Sequence, residues 1–155
     1  MSRGFFAVGI WHPKTETNVG TLWRSAYLYG ASFMFTIGRR YKRQSSDTPK
    51  TPLHVPLFHF DAVEDLRVHL PQGALLVGVE MCDRARPLSR YGHPAQAVYL
   101  LGAEDVGLPD KILAQCHSVV RIECPTPQSM NVAVAGSIVM HDRYARGTCV
   151  ARLAA

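Results

Sequence analysis

The 155 residues predict a single α/β domain built on a parallel sheet flanked by helices. Two observations carry this fold class. Short apolar runs that suit strands alternate with helical patterns, an order that produces a parallel sheet covered on both faces. Three backbone-rich turns, around Asn18–Arg24, Leu101–Leu108 and Ser129–Ala135, fall where strands give way to helices. Such turns gather at one end of a parallel sheet and form a ligand cleft there.

Residues 5–11 read as the first strand and 20–29 as the first helix, stopped by Gly30, a good left-handed C-terminal residue. Residues 32–37 form a second strand and 55–60 a short third one. A helix over 62–69 follows with Asp61 as its N-cap, then a buried strand over 74–81. Residues 97–101 form another strand. Pro109 opens a helix to about Cys116, as proline at a first turn does, and 119–123 is the last strand. The final helix covers 131–145, with Ser129 or Asn131 as its N-cap. The pattern contains no internal repeat and no low-complexity tract, and 155 residues leave no room for a second domain, so 1–155 is one unit.

Composition narrows the class further. No apolar run approaches the roughly 20 residues needed to cross a bilayer, and the N-terminus lacks a signal peptide's apolar stretch, so a cytoplasmic protein without membrane contact is expected. Cys82, Cys116, Cys124 and Cys149 show no C-x-x-C pair and read as free thiols. The net charge of +5 is uneven: residues 1–58 hold eight Lys or Arg against two acids, and residues 59–155 hold nine against ten. Within the basic third, Arg39, Arg40, Tyr41, Lys42 and Arg43 put four cations around one aromatic, ahead of a polar, proline-bearing loop. That combination suits an RNA backbone through counterion release, with Tyr41 available to stack on a base. A solvated loop that aids solubility is the plainer reading.

Several chemistries are disfavoured. There is no G-x-x-x-x-G-K-[ST] loop, no G-x-G-x-x-G after the first strand and no G-x-S-x-G elbow. His141 and Asp142 adjoin on a helix and point apart, which argues against a hydrolase triad with Ser129. The seven histidines are scattered; His54 and His59, placed in a loop, have no third partner in sequence, and no metal site is expected.

At its three loops the chain resembles the SpoU (TrmH) family of RNA 2'-O-ribose methyltransferases, within the SPOUT superfamily. The resemblance rests on N-x-G-x-x-x-R at Asn18–Arg24, L-G-x-E-x-x-G-L-P at Leu101–Pro109 and S-M-N-V at Ser129–Val132, in order and across nearly the whole chain. It implies a deep C-terminal trefoil knot, S-adenosyl-L-methionine bound in the knot, and a homodimer whose subunits together build each functional site. It places Val79, Gly102, Ile122, Ser129 and Met130 around the cofactor and turns Ser129 and Asn131 toward the methyl-transfer site. Neither composition nor periodicity shows a knot, and a rule against threaded chains would reject one. One departure stands out: where family members often carry Ile-Pro-Met after the last strand, this chain has Ile122-Glu123-Cys124 before Pro125, which adds a charge near the expected adenine contact.

The site residues also have their own chemistry. Arg24, read as four residues into the first helix, brings a permanent charge near the loop, for RNA phosphate or for a developing alkoxide on the ribose. A surface salt bridge is its plainer role. Guanidinium seldom gives up a proton, so orientation and charge stabilisation are preferred over general-base action. Glu104 fixes Asn18 or Arg24, or else complements the charge of a helix N-terminus. Glu80, at a strand end, reaches toward the cofactor ribose or faces solvent. The final helix, with Val132, Val134, Ala135, Ile138 and Val139, is apolar enough for both core and dimer face.

The expected reaction is methyl transfer to a ribose 2'-hydroxyl, without metal, by Arg24, Asn18, Glu104, Ser129 and Asn131. A chain that begins near its first strand and ends soon after its last helix favours tRNA as the RNA partner. A catalytically silent RNA-binding protein of the same fold is the alternative, and a small-molecule α/β enzyme is disfavoured by the basic segment. Cofactor calorimetry separates the first two, and salt dependence of substrate binding separates the third.

Overall fold

The computed structural model describes residues 4–42 and 54–148. In chain order they form β1 (Phe5–Trp11), α1 (Glu16–Tyr29), β2 (Phe33–Ile37), β3 (Leu57–Phe60), α2 (Val63–Val68), β4 (Leu75–Val79), β5 (Arg86–Pro87), a 3-10 turn (Leu88–Arg90), β6 (Gln96–Leu101), α3 (Asp110–Leu113), β7 (Ser118–Arg121) and α4 (Val132–Arg146). The seven strands make one sheet in the order β3-β2-β1-β6-β4-β7-β5. Every pairing is parallel.

Successive strand residues feed two separate cores, which explains why the strands are apolar at nearly every position. Phe6, Val8, Ile10, Tyr99 and Leu101 pack on one face with Leu22, Trp23 and Ala26 of α1 and Val132, Val139 and Met140 of α4. Ala7, Val98 and Leu100 pack on the other face with Val63 and Leu66 of α2 and Ile112 and Leu113 of α3. The α1–α4 layer is tight: Ser137 Oγ donates to Ser25 Oγ at 2.8 Å, and a Cβ on Gly136 would run into the Leu22 side chain.

The element order follows the expected one, with corrections at the ends. The first helix begins at Glu16 rather than at residue 20, so Asn18 and Gly20 are helical and do not form a turn. The acidic Glu16 in the first turn complements the helix dipole and offsets part of a glycine's cost of about 1 kcal/mol. Gly30 does end the helix in the left-handed region, at φ 77. Asp61 is not an N-cap: Ala62 holds that position, its N–H bonded to Asp65 Oδ2 at 3.0 Å, and Asp61 pairs with His59. The helix after Pro109 ends at Leu113 and continues only as a turn, while His59 lies on β3 rather than in a loop. Strand β5 was not expected, because Arg-Pro has no strand pattern; its pairing with the edge of β7 creates it.

A polar cluster closes the N-terminal end of the sheet. Buried His93 bonds Tyr99 through Nδ1 at 2.6 Å and Asp142 through Nε2 at 2.7 Å. Arg143, also buried, donates to the carbonyls of Pro94 at 2.6 Å and Ala95 at 3.0 Å, and Arg146 binds Asp142 one helical turn along α4. These bonds tie α4 to the starts of β1 and β6.

Candidate active site

Strands β6, β4 and β7 are neighbours, with Val79 paired to both Leu101 and Val120, so their C-terminal ends open side by side. The segment after β6 folds back on itself. Ala103 bridges Gly107, whose N–H donates to the Ala103 carbonyl at 2.9 Å. Gly102 permits this fold: a Cβ there would lie 2.6 Å from Gly107 Cα and from Leu108 N. Its bareness serves the loop's own backbone. Gly107 holds φ at +63, a region that costs other residues dearly.

A hollow of about 280 Å³ lies at these strand ends. Its lining includes Val79, Gly102, Ile122, Ser129 and Met130, the five residues expected around the cofactor, together with Glu80, Glu104, Asp105, Cys124 and Gln128. The volume sits near the lower end of the roughly 300–1,000 Å³ usual for small-molecule sites, and Val79, Leu101, Ile122, Met130 and Val132 give it an apolar wall. Those residues suit a nucleoside-sized cofactor.

The three sequence motifs meet beside this hollow in a directed chain of hydrogen bonds. Asn18 Nδ2 donates to Glu104 Oε1 at 2.8 Å, and Asn131 Nδ2 donates to Asn18 Oδ1 at 3.0 Å. Asn131 Oδ1 in turn accepts from Ala133 N and Val134 N at 3.0 and 3.2 Å, making it the N-cap of α4. The direction has a chemical origin. Partial burial alone would raise the Glu104 carboxyl, but the Asn18 amide and the Lys14 backbone outweigh it and hold the group below its ordinary value. An ionised carboxylate only accepts, so it dictates which way each amide faces.

Other residues sit differently from the expectation. Arg24 is the ninth residue of α1, exposed and outside the lining of the hollow; among the described residues it makes no hydrogen bond or ion pair, so Glu104 fixes Asn18 and not Arg24. Glu80 does line the hollow, and each of its oxygens accepts one backbone N–H, from Met81 and from Leu108, at 2.8 Å each. Glu123 turns out of the hollow to Ser89, bonding its hydroxyl and its N–H, and the Ser89 hydroxyl lowers its carboxyl below the ordinary value. Arg39, Arg40 and Lys42 are exposed, whereas the half-buried Tyr41 sets its ring edge against Trp23 at 6.1 Å rather than standing free to stack. Arg43 lies outside the described residues. His54 stacks on Tyr27 and His59 bonds Thr36; no three His, Cys, Asp or Glu side chains among the described residues cluster to hold a metal.

Lys14 was missed. Its N–H donates to Glu104 Oε2 at 3.2 Å, its carbonyl accepts from Arg39 Nη1 at 2.8 Å, and its ammonium pairs with Asp105. A single lysine ahead of a helix carries no signal of such a position; only the approach of the loop after β6 creates it.

The parallel sheet, the hollow at its strand exits and the meeting of the three motifs define a nucleotide-cofactor type of α/β domain. The chain belongs to the SpoU rRNA methylase family, which it matches over residues 6–141. It is 26% identical over 135 residues to the tRNA (guanosine(18)-2'-O)-methyltransferase TARBP1 of Mus musculus, covering 81% of this chain but spanning only 8% of that protein's length. A solved structure concerned with 2-OH methylation of C/U34 on tRNA superposes with a TM-score of 0.74 and 26% identity, over 92% of this chain and 95% of the other. The SpoU methyltransferase AviRb of Streptomyces viridochromogenes, solved with AdoMet, shares the fold at a TM-score of 0.78 and 18% identity, over 92% of this chain and 57% of that one.

Proposed function

We propose that this chain is an S-adenosyl-L-methionine-dependent RNA 2'-O-ribose methyltransferase acting on tRNA. The observation that carries the reading is the hollow at the ends of β4, β6 and β7, bordered by the Asn131–Asn18–Glu104 chain. Family membership and relatives described as tRNA methyltransferases support the substrate class.

Val79, Gly102, Ile122, Ser129 and Met130 would hold the cofactor, which supplies a methyl group on a sulfonium when bound. The ribose hydroxyl is the nucleophile, so the protein's task is alignment, proton removal and charge stabilisation. The hydrogen-bonded asparagines keep the Ser129–Asn131 segment in one conformation. Arg24 steadies the alkoxide that develops as the hydroxyl loses its proton. Exposed, and without a hydrogen bond or ion pair among the described residues, it is placed to reach RNA. Arg39, Arg40, Lys42 and Arg43 bind phosphates along the approach.

The fold and assembly follow the same reading. Insertion of β6 between β1 and β4, and the return of α4 onto α1, support a C-terminal segment threaded as a deep trefoil knot. Exposed Leu28, Val134 and Tyr144 on the α1–α4 layer support a homodimer. Free Cys82, Cys116 and Cys124, and the absence among described residues of a helix able to cross a membrane, support a cytoplasmic setting. The deciding experiment is methyl transfer from labelled S-adenosyl-L-methionine to unfractionated tRNA, followed by nucleoside mass spectrometry. A 2'-O-methylnucleoside is expected; label on a base, or no transfer, overturns the reading.

A further inference from the structure

We propose that Lys14 is an RNA-phosphate-binding residue at the mouth of the hollow, occupied in the free protein by Asp105, which an RNA phosphate displaces. The proposal rests on the methyltransferase reading and adds a residue and an internal competitor to it.

Placement is the first argument. The Lys14 backbone is clamped on both sides, its N–H on Glu104 and its carbonyl under the Arg39 guanidinium, so this residue is where the basic segment joins the loop lining the hollow. Asp105 is itself part of that lining. The Lys14 ammonium, paired with Asp105, therefore sits at the rim of the site, while its backbone is held independently of the side chain.

Energetics is the second. The Lys14 and Asp105 side chains are 56% and 45% exposed. An ion pair so open to water contributes little, and separating it strands neither charge in a dry environment. A phosphate offers the ammonium an equal or stronger acceptor and returns condensed counterions to solution. Asp105 thus neutralises the Lys14 ammonium until a polyanion arrives, which disfavours small anions that bring no counterion release.

Filter binding of unfractionated tRNA to the full chain across a salt series tests this, with cofactor calorimetry in parallel. Asp105→Asn is expected to tighten RNA binding ~2–5-fold, the range an exposed pair allows. Lys14→Gln is expected to weaken it and to reduce the slope of log affinity against log salt by about 0.7–0.9. Because the two residues compete, Asp105→Asn should gain more with Lys14 present than in the Lys14→Gln chain. Equal gains in both backgrounds, or an unchanged salt slope in Lys14→Gln, overturn the proposal while leaving methyl transfer by the native chain intact. Loss of cofactor affinity in Lys14→Gln without a change of slope assigns the pair to loop stability and also overturns it. A native chain that binds no tRNA overturns both this proposal and the reading beneath it.

Discussion

Asn131 donates its amide to Asn18 across 113 residues of sequence, at 3.0 Å, and with its remaining oxygen caps α4. One side chain thus both starts the last helix and joins the first motif to the third. The two tasks are separable. Asn131→Asp keeps the capping oxygen, so stability should stay within about 0.5 kcal/mol of the native chain, but it sets an anion against Asn18 Oδ1. Methyl transfer should fall about tenfold or more, whereas Asn131→Ala should also cost about 1 kcal/mol of stability. Denaturant titration and initial rates measure the two effects apart.

Gly102→Ala places a methyl group against the backbone of Gly107 and Leu108, where no flexible side chain can yield. The loop after β6 must open. Stability should fall by about 1–3 kcal/mol and cofactor affinity about tenfold, read by thermal unfolding and calorimetry.

Arg24 is exposed and lies outside the hollow's lining, so its removal should spare cofactor binding. Arg24→Ala is expected to keep cofactor affinity within about twofold while lowering turnover on tRNA about a hundredfold. Arg24→Lys should recover only part of the loss, because an ammonium keeps the charge but lacks the planar fork. Single-turnover rates at saturating RNA check both.

Burial lowers the His93 imidazole below its ordinary 6.5, the hydrogen bond that its Nε2 donates to Asp142 opposing but not cancelling the effect. The unfolded chain therefore takes up the proton first. Stability from this group is complete above about pH 6.5 and declines as pH falls toward the lower folded value, with a slope of at most about 1.4 kcal/mol per pH unit. Tm measured from pH 7 to 5.5 should fall in the native chain, and His93→Gln should flatten that segment.

At lower pH the site itself contributes. The Glu104 carboxyl is held below its ordinary 4.5, so its support is present above that value and is lost as acid protonates it. Below about pH 4 the native chain should lose stability faster than Glu104→Gln. Thermal unfolding from pH 5 to 3 reads the difference.

Much of this molecule is legible in its sequence because both faces of the sheet are buried. Runs such as Phe5–Trp11 and Ala97–Leu101 had to be apolar throughout, and that is a local pattern. Gly30 announced the end of α1 for an equally local reason. The start of α1 was misread because Asn18 and Gly20 are ordinary turn residues; Asn18 instead lies within the helix and bonds its side chain to Glu104, far away in the chain. Strand β5 escaped notice because its only strand-forming influence is the neighbouring edge of β7.

The sequence by itself determined the alternation of strands and helices, the three motifs and the basic first third, all of them properties of residues near one another along the chain. Only tertiary structure decided that Glu123 would turn to Ser89, that Glu80 would serve Leu108, and that Lys14 would stand between Arg39 and Asp105. The reason is reach. A side-chain hydrogen bond is settled within about 3 Å, by whichever partners the packed strands bring there, and adjacency in sequence says nothing of that.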